Sequence, residues 1–194
     1  MKDFRQANRG RAFEEFVRYA NQRYDQTGLA MIEKIPTEFI PIRDRSGRIC
    51  TAKVEHKSTV DFIGRYKNHP IAMEAKNATD TMRYDRIEPH QFEYLTRFNR
   101  SEGVITLVLV SFNLRRFYAI PWEFWQAAYE ERVLKGNRTT NLTVNAYGVV
   151  WEIPKKLSFR ADDVPDVFEV PSNDRKYGLH YLINADKYIK GESE

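Results

Sequence analysis

A chain of 194 residues with 42% hydrophobic content can bury one well-packed α/β core but is short for two. Its 31 Lys+Arg against 27 Asp+Glu leave a net charge of +4, which permits a polyanionic partner without requiring one. A lone cysteine, Cys50, excludes an internal disulfide framework and a multi-cysteine zinc site, and fits a reducing cytosol with the thiol buried or inert. The N-terminus has no apolar leader and the longest oily run, Val104 to Val110, is too short for a bilayer, so a cytoplasmic location and no membrane partner are expected.

The first predicted element is a helix, because Phe13, Phe16, Val17, Ala20 and Tyr24 recur at three- and four-residue spacing and Gly28 closes it. Ala30 to Ile35 reads as a strand. Pro36 to Lys57 mixes β-type residues with Arg43, Arg45, Arg48, Lys53 and Lys57 about a turn at Asp44 to Gly47, the pattern of a basic projecting hairpin. Thr59 to Tyr66 and His69 to Lys76 alternate apolar and polar residues about Lys67 and Asn68, as two antiparallel strands on a tight turn do. Pro89 to Phe98 is a helix with Phe92, Leu95 and Phe98 on one side, a polar opposite face and proline in its first turn. Gly103 to Phe112 is apolar enough for a strand covered on both sides, and Arg116 to Ile120 follows it after a turn at Asn113, so a central sheet is implied. Pro121 to Lys135 is a helix that points Trp122, Trp125, Tyr129 and Val133 inward and stops at Gly136. Its aromatic row is assigned to core or dimer packing before base stacking. Beyond it come short β-like pieces near Tyr147 to Ile153 and a last segment, Leu179 to Ile189, whose type the pattern leaves open.

The turn at Lys67 and Asn68 fixes a register in which Asp61 faces Glu74. Opposed side chains share a face with Cβ atoms roughly 5 Å apart, and Lys76 projects from that face about 7 Å further along. Val60, Phe62, Ile71, Met73 and Ala75 fall on the other face, where packing would make the strand pair rigid. Two close carboxylates repel unless a cation lies between them, and an oxygen-only donor set selects a hard divalent ion such as Mg²⁺, with Mn²⁺ able to substitute. From spacing alone, a solvated ladder of ion pairs on a strand face fits these three residues equally well.

At several ordered places the sequence resembles the RecU family of Holliday-junction resolvases within the PD-(D/E)XK nucleases. The matching runs are NRGRAFEEF at Asn8 to Phe16, IEKIPT at Ile32 to Thr37, KSTVDFIGRY at Lys57 to Tyr66, MEAKN at Met73 to Asn77 and PHQFEYL at Pro89 to Leu95. The tail GLHYLINADKYI is similar to the family's ending more loosely.

The resemblance implies a restriction-endonuclease-like α/β fold, a mixed central sheet flanked by helices, as a single nuclease domain over 1–194 with a stalk inserted at about 38–55. It places Asp61 and Glu74 as metal-binding acids, the Ala75 carbonyl as a further ligand and Lys76 as the catalytic lysine. Glu14 would reach toward the metal from the first helix, with Glu15 the competing choice. Gln91 would hydrogen-bond water or phosphate, or else serve the helix start with His90. Lys34 and Thr37 fall in a phosphate-contacting stretch, where Ile35 stands in place of a more usual lysine. Arg9 and Arg11, at the start of the first helix, could touch the DNA backbone. The stalk, with Arg43, Arg45, Arg48 and Lys53, would enter the open centre of a four-way junction, and the active species would be a homodimer. The expected activity is Mg²⁺-dependent cutting of branched DNA in recombination and repair. The alternatives are a related nuclease acting on other DNA and a junction-binding factor that does not cut.

Overall fold

The computed structural model describes residues 2–36, 38–56 and 58–191, with side chains for 8–36, 40–53 and 58–191. In chain order the elements are α1 (Lys2–Gln26), β1 (Ala30–Lys34), β2 (Glu38–Arg43), β3 (Ile49–His56), β4 (Phe62–Tyr66), β5 (His69–Ala78), β6 (Thr81–Arg83), α2 (Pro89–Phe98), β7 (Ile105–Phe112), β8 (Arg116–Pro121), α3 (Trp122–Tyr129), β9 (Leu142–Ala146), β10 (Val149–Ile153) and β11 (Ser158–Arg160). Single 3-10 turns connect several of them, and Ala185–Tyr188 is the last. Among the described residues no helix is long and apolar enough to cross a membrane.

The centre is a five-stranded mixed sheet in the order β1-β4-β5-β7-β8, with β5 and β7 parallel and the other neighbours antiparallel. The parallel pair needs a crossover, and the chain supplies it through α2. The β4–β5 hairpin turns at Lys67, whose φ of 50° lies in the left-handed region, and pairs Phe62 with Met73 and Tyr66 with His69. That is the register expected from the alternation of apolar residues. Gly64 of β4 lies against the backbone of β1: a Cβ there would lie 2.0 Å from the Met31 carbonyl oxygen. Only glycine lets these two backbones pair at that distance.

Helices cover both faces, as an α/β sheet that buries β7 throughout requires. On one face α1 packs over β1 and β5, with Phe13, Val17, Ala20 and Tyr24 buried and Phe13 stacked on Phe117 of β8. Tyr118, the next residue, points to the opposite face. There Phe112, Phe159 and Trp125 of α3 join it in a chain of edge-to-face rings. Trp122, Trp125 and Tyr129 are thus core residues of the chain itself.

Several expectations need correction. The first helix begins at Lys2, so Arg9 and Arg11 lie inside it and not at its start. Phe16 is 45% exposed, at the margin of the sheet, where its ring meets Phe117 edge-on. Cys50 is exposed on β3, with its thiol donating to the Ile42 carbonyl. After Tyr129 the helix widens into a π turn over Glu130–Leu134 before stopping at Gly136. The strand expected from Thr59 starts at Phe62, so Asp61 lies just before it.

Among the described residues β2 and β3 pair only with each other, as a two-stranded ribbon separate from the central sheet. Its tip is closed by Asp44, whose carboxylate accepts from the backbone N–H groups of Ser46 and Arg48. The tail is tied in at several places. Tyr181 hydrogen-bonds Asn21, Tyr24 bonds the Leu179 carbonyl, Asp186 pairs with Lys67, and Lys190 exchanges backbone bonds with Gly103 and Val104.

Candidate active site

The site forms where the β4–β5 ladder ends. The last paired residues are Phe62 and Met73, and beyond them side chains continue the pairing. The Asp61 N–H donates to Glu74 Oε2 at 3.0 Å, and the Ala75 N–H donates to Asp61 Oδ2 at 3.0 Å. The Asp61 carbonyl meanwhile accepts from the Ile35 N–H, which fastens this residue to the end of β1. Asp61 is therefore held on both sides by backbone, and Glu74 is locked into the gap.

Glu74 is buried and its two oxygens have distinct partners. Oε1 accepts from Lys76 Nζ at 2.5 Å and from Gln91 Nε2 at 2.7 Å. Burial first, then the charge of the neighbouring Asp61, raise its pKa far above the ordinary carboxylate value against the opposing pull of Lys76. Two acids are thus pressed together in a poorly hydrated place with one ammonium against Glu74.

Gln91 lies on the polar side of α2 yet is buried, because that side faces the acids. Its amide nitrogen serves Glu74, while its carbonyl oxygen accepts from Lys76 at 3.2 Å and from the Glu88 N–H at 3.0 Å. Gln91 thus takes the helix-start role at N3 of α2, and the same side chain lies against Glu74 and Lys76. His90 Nε2 lies 3.2 Å from the Ser58 carbonyl oxygen and so steadies the segment leading to Asp61.

Glu14 and Glu15 diverge. Glu15 pairs with Arg18 on the surface at 2.9 Å. Glu14 accepts from Lys34 Nζ at 2.7 Å, and the same nitrogen lies 3.6 Å from Asp61 Oδ1. Burial lowers the Lys34 pKa, but the Glu14 hydrogen bond and the charges of Asp61, Glu14 and Glu74 outweigh it and leave the pKa raised. The structure therefore brings Asp61, Glu74, Lys76, Gln91 and, through Lys34, Glu14 into one neighbourhood. That Lys34 stands among the acids was not foreseen, although its place at the end of β1, next to the strand that follows Asp61, was a usable signal.

The remaining basic candidates do not join this cluster. Arg9 is half-buried and Arg11 exposed on α1, and Arg43, Arg45, Arg48 and Lys53 are exposed on the ribbon. Arg43 donates to the Gly47 carbonyl and so helps close the tip. Thr37 and Lys57 lie outside the described residues.

The donors available to a metal are all oxygens: the two carboxylates and the Ala75 carbonyl. In a strand, the N–H and C=O of one residue lie on the same edge, so the Ala75 carbonyl shares the edge from which its N–H reaches Asp61. Among the described residues no group of three or more His, Cys, Asp or Glu is placed to hold a metal. Two acids and a carbonyl still suit a hard divalent ion that keeps several waters, and they suit a soft metal poorly.

A model of the family described as RecU: Recombination protein U matches residues 8–158. The chain is 32% identical over 145 residues to the Holliday junction resolvase RecU of Streptococcus sanguinis strain SK36, with 71% of each chain covered. It is 30% identical over 144 residues to the Holliday junction resolvase RecU of Streptococcus gordonii, with 70% of each covered. The same identity over 144 residues relates it to the Holliday junction resolvase RecU of Streptococcus thermophilus strain LMD-9, covering 70% of this chain and 71% of that one.

Proposed function

Because the chain belongs to the Recombination protein U family, we propose that it is a structure-selective endonuclease that resolves four-way DNA junctions by paired phosphodiester hydrolysis in recombination and repair. The observation that carries the reading is the adjacency of Asp61 and Glu74 at the end of the β4–β5 ladder, with Lys76 against Glu74. The fold is read as restriction-endonuclease-like, of the PD-(D/E)XK class, with one nuclease domain over 1–194 and the ribbon at about 38–55 as its stalk.

Asp61, Glu74 and the Ala75 carbonyl would hold Mg²⁺, with Mn²⁺ able to substitute. When bound, such an ion supplies Lewis acidity, which makes a water nucleophilic near neutral pH and offsets charge on the phosphate. The chain's own groups do the rest. Lys76, a compact point charge on a rigid strand, is placed to neutralise negative charge that develops on the phosphate. Gln91 holds Lys76 and Glu74 in fixed relation and offers its amide to a water or phosphate oxygen once Glu74 is engaged elsewhere. Glu14 approaches the same region from α1.

Substrate choice would rest on shape. A basic ribbon carrying Arg43, Arg45, Arg48 and Lys53 can enter the open centre of a branch point, with Arg9, Arg11, Lys34, Thr37 and Lys57 on the flanking backbone. A homodimer would bring two such sites to opposed strands. The exposed Ile40, Ile42 and Ile49 of the ribbon are available to a second copy.

The test is cleavage of a synthetic four-way junction beside matched linear duplex and flap substrates, with and without Mg²⁺, for the natural chain and for Asp61→Asn. Paired symmetric nicks at the crossover, dependent on the metal and lost in the variant while junction binding persists, are expected. Equal cutting of linear duplex would overturn the junction reading, and full activity of Asp61→Asn would overturn the site.

A further inference from the structure

Lys34 occupies an unusual place for a residue whose expected task is to touch DNA. It is the last residue of β1, yet its ammonium turns toward the acids and not into solvent. Nζ lies 2.7 Å from Glu14 Oε2 and 3.6 Å from Asp61 Oδ1, and the group sits over the Phe62 ring with Nζ 5.3 Å from its centroid. Glu14 comes from α1 and Asp61 from the segment before β4, so three separate elements converge on one nitrogen.

The oxygen it faces matters. Asp61 Oδ2 is committed to the Ala75 N–H, and Glu74 Oε1 is committed to Lys76 and Gln91. Glu74 Oε2 accepts from the Asp61 N–H, and Asp61 Oδ1 is the oxygen that Lys34 approaches. An ammonium and a divalent ion compete for it, because two cations a few Å apart repel in a half-buried place.

We propose that Lys34 is a placeholder cation: its ammonium neutralises Glu14 and Asp61 while the site holds no metal, and it withdraws when a divalent ion loads. The inference rests on reading Asp61 and Glu74 as metal-binding acids. Withdrawal needs little more than rotation of a four-carbon stem on a side chain already one-third exposed. The departing ammonium moves outward, toward the side from which a DNA phosphate approaches. A phosphate that draws Lys34 away therefore favours metal loading, and by reciprocity a loaded metal frees Lys34 for phosphate. An idle site stays neutralised and resists stray ions, whereas a site with DNA on it fills.

The experiment is calorimetric titration of Mn²⁺ into the DNA-free full chain, for the natural protein, Lys34→Met, Lys34→Gln and Asp61→Asn. Both neutral variants remove the competing charge, and the methionine keeps an apolar stem over Phe62. Each should bind Mn²⁺ roughly tenfold more tightly than the natural chain, with Asp61→Asn binding none at this site. If Asp61-dependent binding is present but Lys34→Met and Lys34→Gln bind no more tightly than the natural chain, the placeholder is wrong and the metal site stands. If no variant shows binding that depends on Asp61, the reading of the acids fails and takes the placeholder with it.

Discussion

Glu74 is only 1% exposed, so its charge must be either paired or absent. Lys76 and Gln91 satisfy one oxygen, but burial and the adjacent Asp61 still favour the protonated form. The consequence for stability follows from linkage. Unfolded, the group releases its proton near its ordinary value of 4.5, whereas folded it holds the proton to higher pH. Below that ordinary value both states are neutral at this group and nothing is lost. As pH rises from there toward the raised folded value, the unfolded state gains and stability falls. In metal-free buffer the natural chain should therefore lose more stability between pH 5 and pH 8 than Glu74→Gln does, as read by thermal melts at both pH values. A divalent ion that binds only the folded chain should recover part of the loss at pH 8. Parallel pH profiles for the two proteins would remove Glu74 as the cause.

At the level of elements, β1 crowds β4 at Gly64 so closely that no side chain fits there. A methyl group there meets the Met31 carbonyl oxygen at 2.0 Å and Ile32 Cα at 2.6 Å, and neither can swing aside as a side chain would. Gly64→Ala should cost about 3 kcal/mol or more, measured by denaturant unfolding. Since β1 ends at Lys34 and β4 begins beside Asp61, the same change should also disturb the site. Unaltered stability would mean that the two strands can separate without harm. The ribbon predicts the opposite pattern. Replacing Arg45, Arg48 and Lys53 together by alanine removes exposed charge and no core contact, so melting should be unchanged while junction binding weakens with a shallower salt dependence.

These elements were legible to very different degrees, for physical reasons. The β4–β5 register followed from strict alternation around a two-residue turn, because a one-residue slip would have turned every core side chain to the wrong face. The bounds of α2 followed from Pro89 and the apolar positions after it. By contrast, residues 2–12 carry no apolar period, so the early start of α1 left no mark in the sequence. β6 and β11 are three residues each and pair across a long separation, which no local pattern records. At the site, Glu14 and Gln91 were within reach of motif reasoning, whereas the inward turn of Lys34 depends on two acids distant in sequence, and only its place at the end of β1 hinted at it.

Across the whole molecule, the last segment is the piece that joins parts the sheet alone leaves apart. Tyr181 reaches Asn21 and packs edge-on against Tyr24 of α1. Asp186 holds the β4–β5 turn through Lys67, Asn184 donates to the Val167 carbonyl, and Lys190 pairs with the residues leading into β7. Leu179, Tyr181, Leu182, Tyr188 and Ile189 are all buried. Each such side chain contributes about 1.5–3 kcal/mol on transfer from water, in sum no more than the roughly 1–2 kcal/mol per residue of backbone entropy lost in fixing a dozen residues, so the segment depends on the surface that the rest of the fold presents to it. The tail therefore acts as a clasp that ties α1 and the hairpin that carries the acids into one unit. Removing residues 179–194 should lower the melting temperature by roughly 10 °C or more, and should loosen α1 more than β7 in amide exchange. A single change separates the clasp from general loss of core: Tyr181→Phe keeps the ring against Tyr24 but leaves the buried Asn21 without its hydroxyl partner, so about 1–3 kcal/mol should be lost with α1 exchange again the most affected. Uniform exchange across helix and sheet in both proteins would show that the tail adds stability without fastening α1 in particular.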